Sequence, residues 1–135
     1  MKNIYVTRRI PDAGIKMLTD KGYTVDICEG DMPPTQDELN EALKAKQYDA
    51  VVTLLTDKID QKIFDANPDI KLYANYAIGF DNLDVKLAKE RGIVVTNTPG
   101  SYAGCVAEHA IALMLALTTR IVEGDEYVRA GKYKA

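Results

Sequence analysis

Residues 73–84, Tyr-Ala-Asn-Tyr-Ala-Ile-Gly-Phe-Asp-Asn-Leu-Asp, decide how this chain is read. An apolar, β-prone run enters them from Ile70, and a helical pattern leaves after Asp84. Between the two, Gly79 has no Cβ, so it can take a positive φ or let another molecule approach the backbone closely. The plain reading is a strand-to-helix turn, with Gly79 supplying the geometry and Asp84 the N-cap. In an open parallel sheet, ligands lie beyond the carboxyl ends of the strands, which makes the same loop a candidate binding loop.

Working outward, Asn3 to Thr7 is a short β-prone run, and Pro11 opens a helix whose buried side is Ile15, Met17 and Leu18. Gly22 ends that helix, and Thr24 to Cys28 reads as a second strand before a polar loop over 29–34. Thr35 with Glu38 has the spacing of a capping box, and Leu39, Ala42 and Leu43 continue a helix to about Lys46. Asp49 to Leu55 is the most continuous apolar strand, as expected where both faces are covered. Thr56 and Asp57 begin a loop, and a short helix over 61–66 ends before Pro68. Beyond Asp84, a helix runs through Leu87 and Ala88 to Arg91, with Gly92 behind it. Ile93 to Thr96 is a fifth strand, halted by Asn-Thr-Pro-Gly at 97–100; helical patterns then cover 102–120 and 121–130.

Five strands alternating with helices at roughly 20 to 25 residues per unit predict an α/β protein with a parallel sheet. Right-handed crossovers give the flavodoxin-like order 2-1-3-4-5, with helices on both faces and a long helical segment at the C-terminal end. The expected division is a sheet domain over 1–100 and a helical segment over 101–135.

The 135 residues suffice for one sizeable core. A hydrophobic content of 47%, a charged content of 27% and a formal charge of −3 fit an ordinary soluble domain and offer no basic stripe for nucleic acid or an anionic membrane. Cys28 and Cys105 stand alone, with no metal-ligand spacing around them, and are read as free, partly buried thiols. The first residues lack an apolar signal core, and the run from Ala110 to Leu117 is far short of the ~20 residues that span a bilayer. These features predict a cytoplasmic protein with neither nucleic acid nor membrane as partner.

Other occupants of the fold are excluded by the residues they need. A response-regulator receiver needs an acidic pair after the first strand, where Arg8 and Arg9 stand, and a Lys after the fifth, where Asn97 stands. Thr-Arg-Arg-Ile-Pro is not a flavodoxin phosphate loop. No Gly-x-Gly occurs anywhere, so no dinucleotide fingerprint or P-loop is present. The only histidine, His109, follows Glu108 in the long helix, where neighbours point about 100° apart and form no ready acid/base pair. No nucleophile–base set and no metal set is found. In the same helix Ala103, Val106, Ala107, Ala110, Leu113, Met114 and Leu117 form one apolar stripe, and Ile111 and Leu115 widen it. A helix apolar over most of its girth expects neighbours on more than one side.

Three stretches taken together resemble the D-isomer-specific 2-hydroxyacid dehydrogenases: residues 76–84, Arg-Gly-Ile-Val-Val-Thr-Asn-Thr-Pro-Gly at 91–100, and Val-Ala-Glu-His-Ala-Ile-Ala-Leu-Met-Leu-Ala-Leu at 106–117. Leu-Leu-Thr-Asp at 54–57 fits as well. The resemblance implies the substrate domain of an enzyme whose inserted Rossmann domain binds NAD or NADP, and which passes hydride between nicotinamide and C2 of a small 2-keto or 2-hydroxy acid. It implies that the family's catalytic Arg, Glu and His fall beyond Ala135, so no catalytic residue is assigned here, and His109 belongs to the linking helix.

By the same resemblance, the backbone N–H groups of Ile78 and Gly79 bind the substrate carboxylate, amides being able to hold an anion where no Cβ blocks it. Leu54 or Leu55 flanks the substrate side chain, and Tyr76 and Val106 face the nicotinamide side of the cleft. Asp81, Asn82 and Asp84 are given local turn and cap roles. The chain alone is expected to be inactive and to hold no cofactor tightly. A homo-oligomer through residues 102–117, a dimer or an assembly that exchanges its C-terminal helices, is expected; the competing reading of function is a non-catalytic flavodoxin-like module that self-associates through the exposed C-terminal helix.

Overall fold

The computed structural model describes residues 2–30, 32–100 and 102–134. Asp31, within the expected 29–34 loop, and Ser101, the first residue of the expected helical segment, lie outside the described residues. Two compact units divide the chain, Met1–Pro99 and Gly100–Ala135.

In the first unit, β1 (Asn3–Val6), α1 (Asp12–Asp20), β2 (Thr24–Ile27), α2 (Gln36–Lys44), β3 (Ala50–Thr53), α3 (Gln61–Ala66), β4 (Leu72–Asn75), α4 (Val85–Glu90) and β5 (Val94–Thr96) alternate. All pairings are parallel, and the sheet order is β2-β1-β3-β4-β5, as the sequence predicts. The helix starts follow the side chains expected of them. Thr35 and Glu38 form the reciprocal capping box of α2, Asp60 accepts from Lys62 N at α3, and Asp84 accepts from Leu87 N at α4. Gly92, at φ +65°, closes α4 in the left-handed region.

Register and crossover hand together place the core. Tyr5, Val51, Tyr73 and Val95 are aligned across β1, β3, β4 and β5, so their side chains share one sheet face. Right-handed crossovers in this strand order put α2, α3 and α4 on one face and α1 on the other. The core accordingly joins Tyr5, Val51 and Tyr73 to Leu39 and Leu43 of α2, Ile63 and Phe64 of α3, and Ala88 of α4. Phe64 meets Tyr73 edge to face at 5.4 Å between ring centroids, and each such fully buried side chain contributes about 1.5–3 kcal/mol.

The opposite face is less covered. Ile4 and Val6 are buried, Val52 and Ala74 half-buried, and Val94 and Thr96 exposed. This corrects the expected packing of α1: Ile15 and Leu18 are only half-buried and Met17 is 71% exposed. A single nine-residue helix on that face packs chiefly against the edge strand β2 and leaves α1 with no fully buried side chain.

The second unit consists of α5 (Tyr102–Thr118) and α6 (Ile121–Arg129), bent by 56°. The expected helix to Arg120 stops two residues early because Arg120 adopts the left-handed conformation, φ 54° and ψ 41°. Thr118 and Thr119 help the break: both hydroxyls donate back to the Leu115 carbonyl, competing with the helical ladder. No side chain of α5 is buried, and Cys105 is exposed rather than partly buried, whereas Cys28 is half-buried. No single described helix is long and apolar enough to cross a membrane.

Candidate substrate-binding site

Four strands deliver their following loops to the carboxyl edge of the sheet, and buried polar side chains tie the loops together. Thr7, just past β1, is fully buried, and its hydroxyl donates to Asp57 Oδ2. The same carboxylate oxygen accepts from Leu54 N at 2.7 Å, while Asp57 N returns a bond to Leu54 O at 3.0 Å. Asp57 is itself 2% exposed, so the 54–57 loop is wound around its own buried carboxylate.

Asn82 holds that loop to the next one. Its Nδ2 donates to Leu54 O at 3.0 Å and to Asp57 O at 2.9 Å, and its Oδ1 accepts from Asn75 Nδ2 at 3.0 Å. Asn75, at the end of β4, is buried; it accepts from Thr53 Oγ1 at 2.9 Å and donates to Gly79 O at 3.0 Å. Ile59 and Leu83 form an isolated parallel bridge behind this cluster. Every partner lies on a different strand end or loop from Asn82, so the sequence expectation of a purely local turn role for that residue is corrected.

The loop after β5 orients the backbone of the glycine loop. Thr98 N donates to Ala77 O at 2.9 Å, and Asn97 Nδ2 donates to Ile78 O at 2.7 Å. A trans peptide sets its N–H opposite its C=O. With both carbonyls held by the β5 loop, the N–H groups of Ile78 and Gly79 are turned away from it. Neither amide has an acceptor among the described residues. Adjacent backbone N–H groups left without acceptors are donors that an anion could take up.

Gly79 does not have a positive φ. A Cβ built on it would meet Leu55 Cδ1 at 3.6 Å and Asp81 Oδ2 at 3.9 Å, both ordinary contacts. Of the two expectations for this glycine, a left-handed turn is therefore corrected, and access to the backbone is left. Leu54 is half-buried and Leu55 is 55% exposed, so an apolar wall stands directly beside the glycine. Tyr76 and Ile78, also exposed, complete the rim.

The structure thus brings Leu54, Leu55, Tyr76, Ile78 and Gly79 to one edge of one unit. Val106 lies in the other unit, exposed on α5, as is His109. Thr7, Asp57, Asn75, Asn82 and Asn97 were not singled out as site residues by the sequence; the available signal was a polar side chain closing an otherwise apolar strand. A pocket of about 390 Å³ between residues 43–48 and 66–70 lies at the amino ends of β3 and β4, away from this edge. Among the described residues no group of three His, Cys, Asp or Glu side chains could hold a metal ion. No strand-to-helix turn of the chain carries Gly-x-Gly, the fingerprint of a dinucleotide-binding turn.

A parallel 2-1-3-4-5 sheet whose carboxyl-edge loops are locked by buried polar side chains is a flavodoxin-like α/β domain. Residues 4–127 match the catalytic-domain profile of the D-isomer specific 2-hydroxyacid dehydrogenases, and the chain belongs to that family. It is 44% identical over 131 residues to the glyoxylate reductase of Thermococcus litoralis, a match covering 97% of this chain and 39% of the relative. A solved structure of a Thermus thermophilus protein superposes with a TM-score of 0.82 at 34% identity, covering 98% of this chain and 42% of that one. The D-lactate dehydrogenase of Aquifex aeolicus, solved with NAD and lactic acid, shares the fold at a TM-score of 0.72 and 22% identity, over 99% of this chain and 39% of its own. The chain spans about two fifths of the length of the relatives it matches.

Proposed function

We propose that this chain is the substrate-binding part of an NAD(P)-dependent D-2-hydroxyacid dehydrogenase, and that it holds the carboxylate of a small 2-keto or 2-hydroxy acid on the amides of Ile78 and Gly79. The observation that carries this reading is Gly79, whose missing Cβ answers neither a positive φ nor internal crowding. Its role is then to let a ligand reach two backbone donors already turned outward. Leu54 and Leu55 exclude water from the substrate's short side chain, and Tyr76 faces the nicotinamide side of the cleft. A bound nicotinamide would supply or accept the hydride at C2 of the acid held there. What these residues contribute is position and charge complementarity, which converts a bimolecular encounter into an oriented one.

By themselves the 135 residues are inactive and hold no dinucleotide tightly, because none of them matches the family's catalytic Arg, Glu and His and no Gly-x-Gly turn occurs. Glyoxylate is the first acid to test, given the name of the similar Thermococcus litoralis protein.

The experiment is an NMR titration of the chain with glyoxylate and pyruvate, alongside Gly79→Ala. The acids should shift the Ile78 and Gly79 amide resonances. Gly79→Ala should keep or slightly raise stability, by up to about 1 kcal/mol, since the native φ suits alanine, while abolishing those shifts. Unchanged acid binding by a folded Gly79→Ala variant would refute the proposal. NADH or NADPH oxidation by the chain alone would refute its inactivity.

A second reading rests on α5, where Val106, Ile111, Leu113, Met114, Leu115 and Leu117 are all exposed. Residues 102–117 would then bring two copies of the chain together. Light scattering compares the parent with Leu113→Lys and Met114→Lys: a monomeric parent removes this reading.

A further inference from the structure

We propose that the Phe80 N–H is a third donor of this same site, taking the second oxygen of the substrate carboxylate, and that Asn75 is the positioning residue that aims it. This rests on the carboxylate-binding role given above to Ile78 and Gly79. Three carbonyls in a row are held in the glycine loop. Ala77 O and Ile78 O accept from the loop after β5, and Gly79 O accepts from Asn75 Nδ2 at 3.0 Å. The Gly79–Phe80 peptide is thus fixed by a different element from the two peptides before it. Phe80 N has no acceptor among the described residues. The Asp81 carboxylate, with Oδ2 3.9 Å from where a Gly79 Cβ would stand, takes none of the three amides.

The direction of the Phe80 N–H follows from where Asn75 sits. Asn75 closes β4 and is 1% exposed, so its amide group lies inside the sheet end rather than on the surface. Its Oδ1 accepts from the Thr53 hydroxyl at 2.9 Å and from Asn82 Nδ2 at 3.2 Å, which leaves Nδ2 to face Gly79 O. A flipped amide would set oxygen against the Gly79 carbonyl, so only this orientation is satisfied. The Gly79 carbonyl therefore points inward, to a buried donor. The planar trans peptide sends the Phe80 N–H the opposite way, off the carboxyl edge of the sheet, where the ligands of open parallel sheets lie. A carboxylate has two oxygens with about four lone-pair sites, so one acid engages all three amides at once. Recognition of both oxygens favours an acid over its neutral amide and sets no demand on the length of its chain.

The test is an NMR titration of the full chain with glyoxylate, following the Ile78, Gly79 and Phe80 amide resonances. All three should move. An ester at the 79–80 linkage, made by semisynthesis, deletes the Phe80 N–H and keeps every side chain; it should weaken glyoxylate binding about tenfold. Asn75→Ala should abolish the Phe80 shift and leave those of Ile78 and Gly79, whereas a merely structural loss reduces all three alike. The ester decides the donor role if Asn75→Ala fails to fold. A Phe80 amide that stays still while Ile78 and Gly79 move, or an ester chain that binds glyoxylate unchanged, overturns the third donor and leaves the two-amide site standing. Equal loss of all three shifts in a folded Asn75→Ala variant overturns the positioning role. No shift of any of the three in the parent overturns the carboxylate site and this inference with it.

Discussion

Replacing Asn82 by Ala tests the claim that one side chain welds the loops of the candidate site. Its amide donates to two backbone carbonyls, Leu54 O and Asp57 O, and exchanges a further bond with Asn75. Leu54 O keeps Asp57 N as a donor, and Asn75 Nδ2 keeps Gly79 O as an acceptor, so neither is stranded. With about 1 kcal/mol net for each lost bond and the cluster largely shielded from water, the cost is about 2–3 kcal/mol. In a unit of this size that lowers Tm by roughly 10–20 °C. Urea denaturation should show a lower midpoint at an unchanged m-value. The near-isosteric Asn82→Asp separates hydrogen bonding from packing. A carboxylate cannot donate to the two carbonyls, so its folded-state pKa is raised; the variant is most stable at low pH, and that stability is lost as pH rises through the folded pKa. A loss under about 0.5 kcal/mol in the alanine variant, or a pH-independent deficit in the aspartate variant, would refute the reasoning.

The Tyr73 hydroxyl is fully buried and has no hydrogen-bond partner among the described residues, so Tyr73→Phe should gain about 1 kcal/mol in urea denaturation; a loss of that size would show that the hydroxyl is satisfied. Burial, and then donation to Asp26 Oδ2 at 2.9 Å, pushes the Tyr48 phenol up to about 12. Because this folded-state value is raised above the ordinary one near 10, its contribution is complete below pH 10 and is lost as pH rises towards 12. Burial pushes Tyr5 and Tyr73 in the same direction. Stability measured from pH 9 to 12 should therefore fall, and Tyr48→Phe should flatten the fall. Thr35→Ala removes one half of the α2 capping box and should cost about 1 kcal/mol, read from the same denaturation curves.

Much of the fold was legible in the chain because local and global signals agree. The capping box at Thr35, the Asp84 cap and the apolar runs of β1, β3 and β4 each report on a neighbourhood of a few residues, and strand alternation with crossover handedness then leaves one natural order. The depth of α1 was not legible: its apolar residues have helical spacing, but how far they are buried depends on how many helices share that sheet face. The helix break at Arg120 was also missed, since arginine itself favours helix and the left-handed conformation arises where two helices meet.

For the candidate site the division is similar. Gly79 between β4 and α4, with Leu54 and Leu55 following β3, marks the candidate edge in the residues themselves. What only the tertiary structure decided is the direction of the backbone there. Asn75, Asn82, Asn97 and Asp57 are separated by seven to forty residues, and nothing in a linear pattern distinguishes an asparagine that terminates a strand from one that holds a carbonyl across the sheet. Parallel pairing brings their loops to one edge, and the planarity of the peptide bond then turns the Ile78 and Gly79 amides outward once the carbonyls of Ala77 and Ile78 are held. The sequence alone determined which strands form and in what order. Long-range hydrogen bonds, which depend on residues distant along the chain, decided which backbone donors are left to meet a ligand.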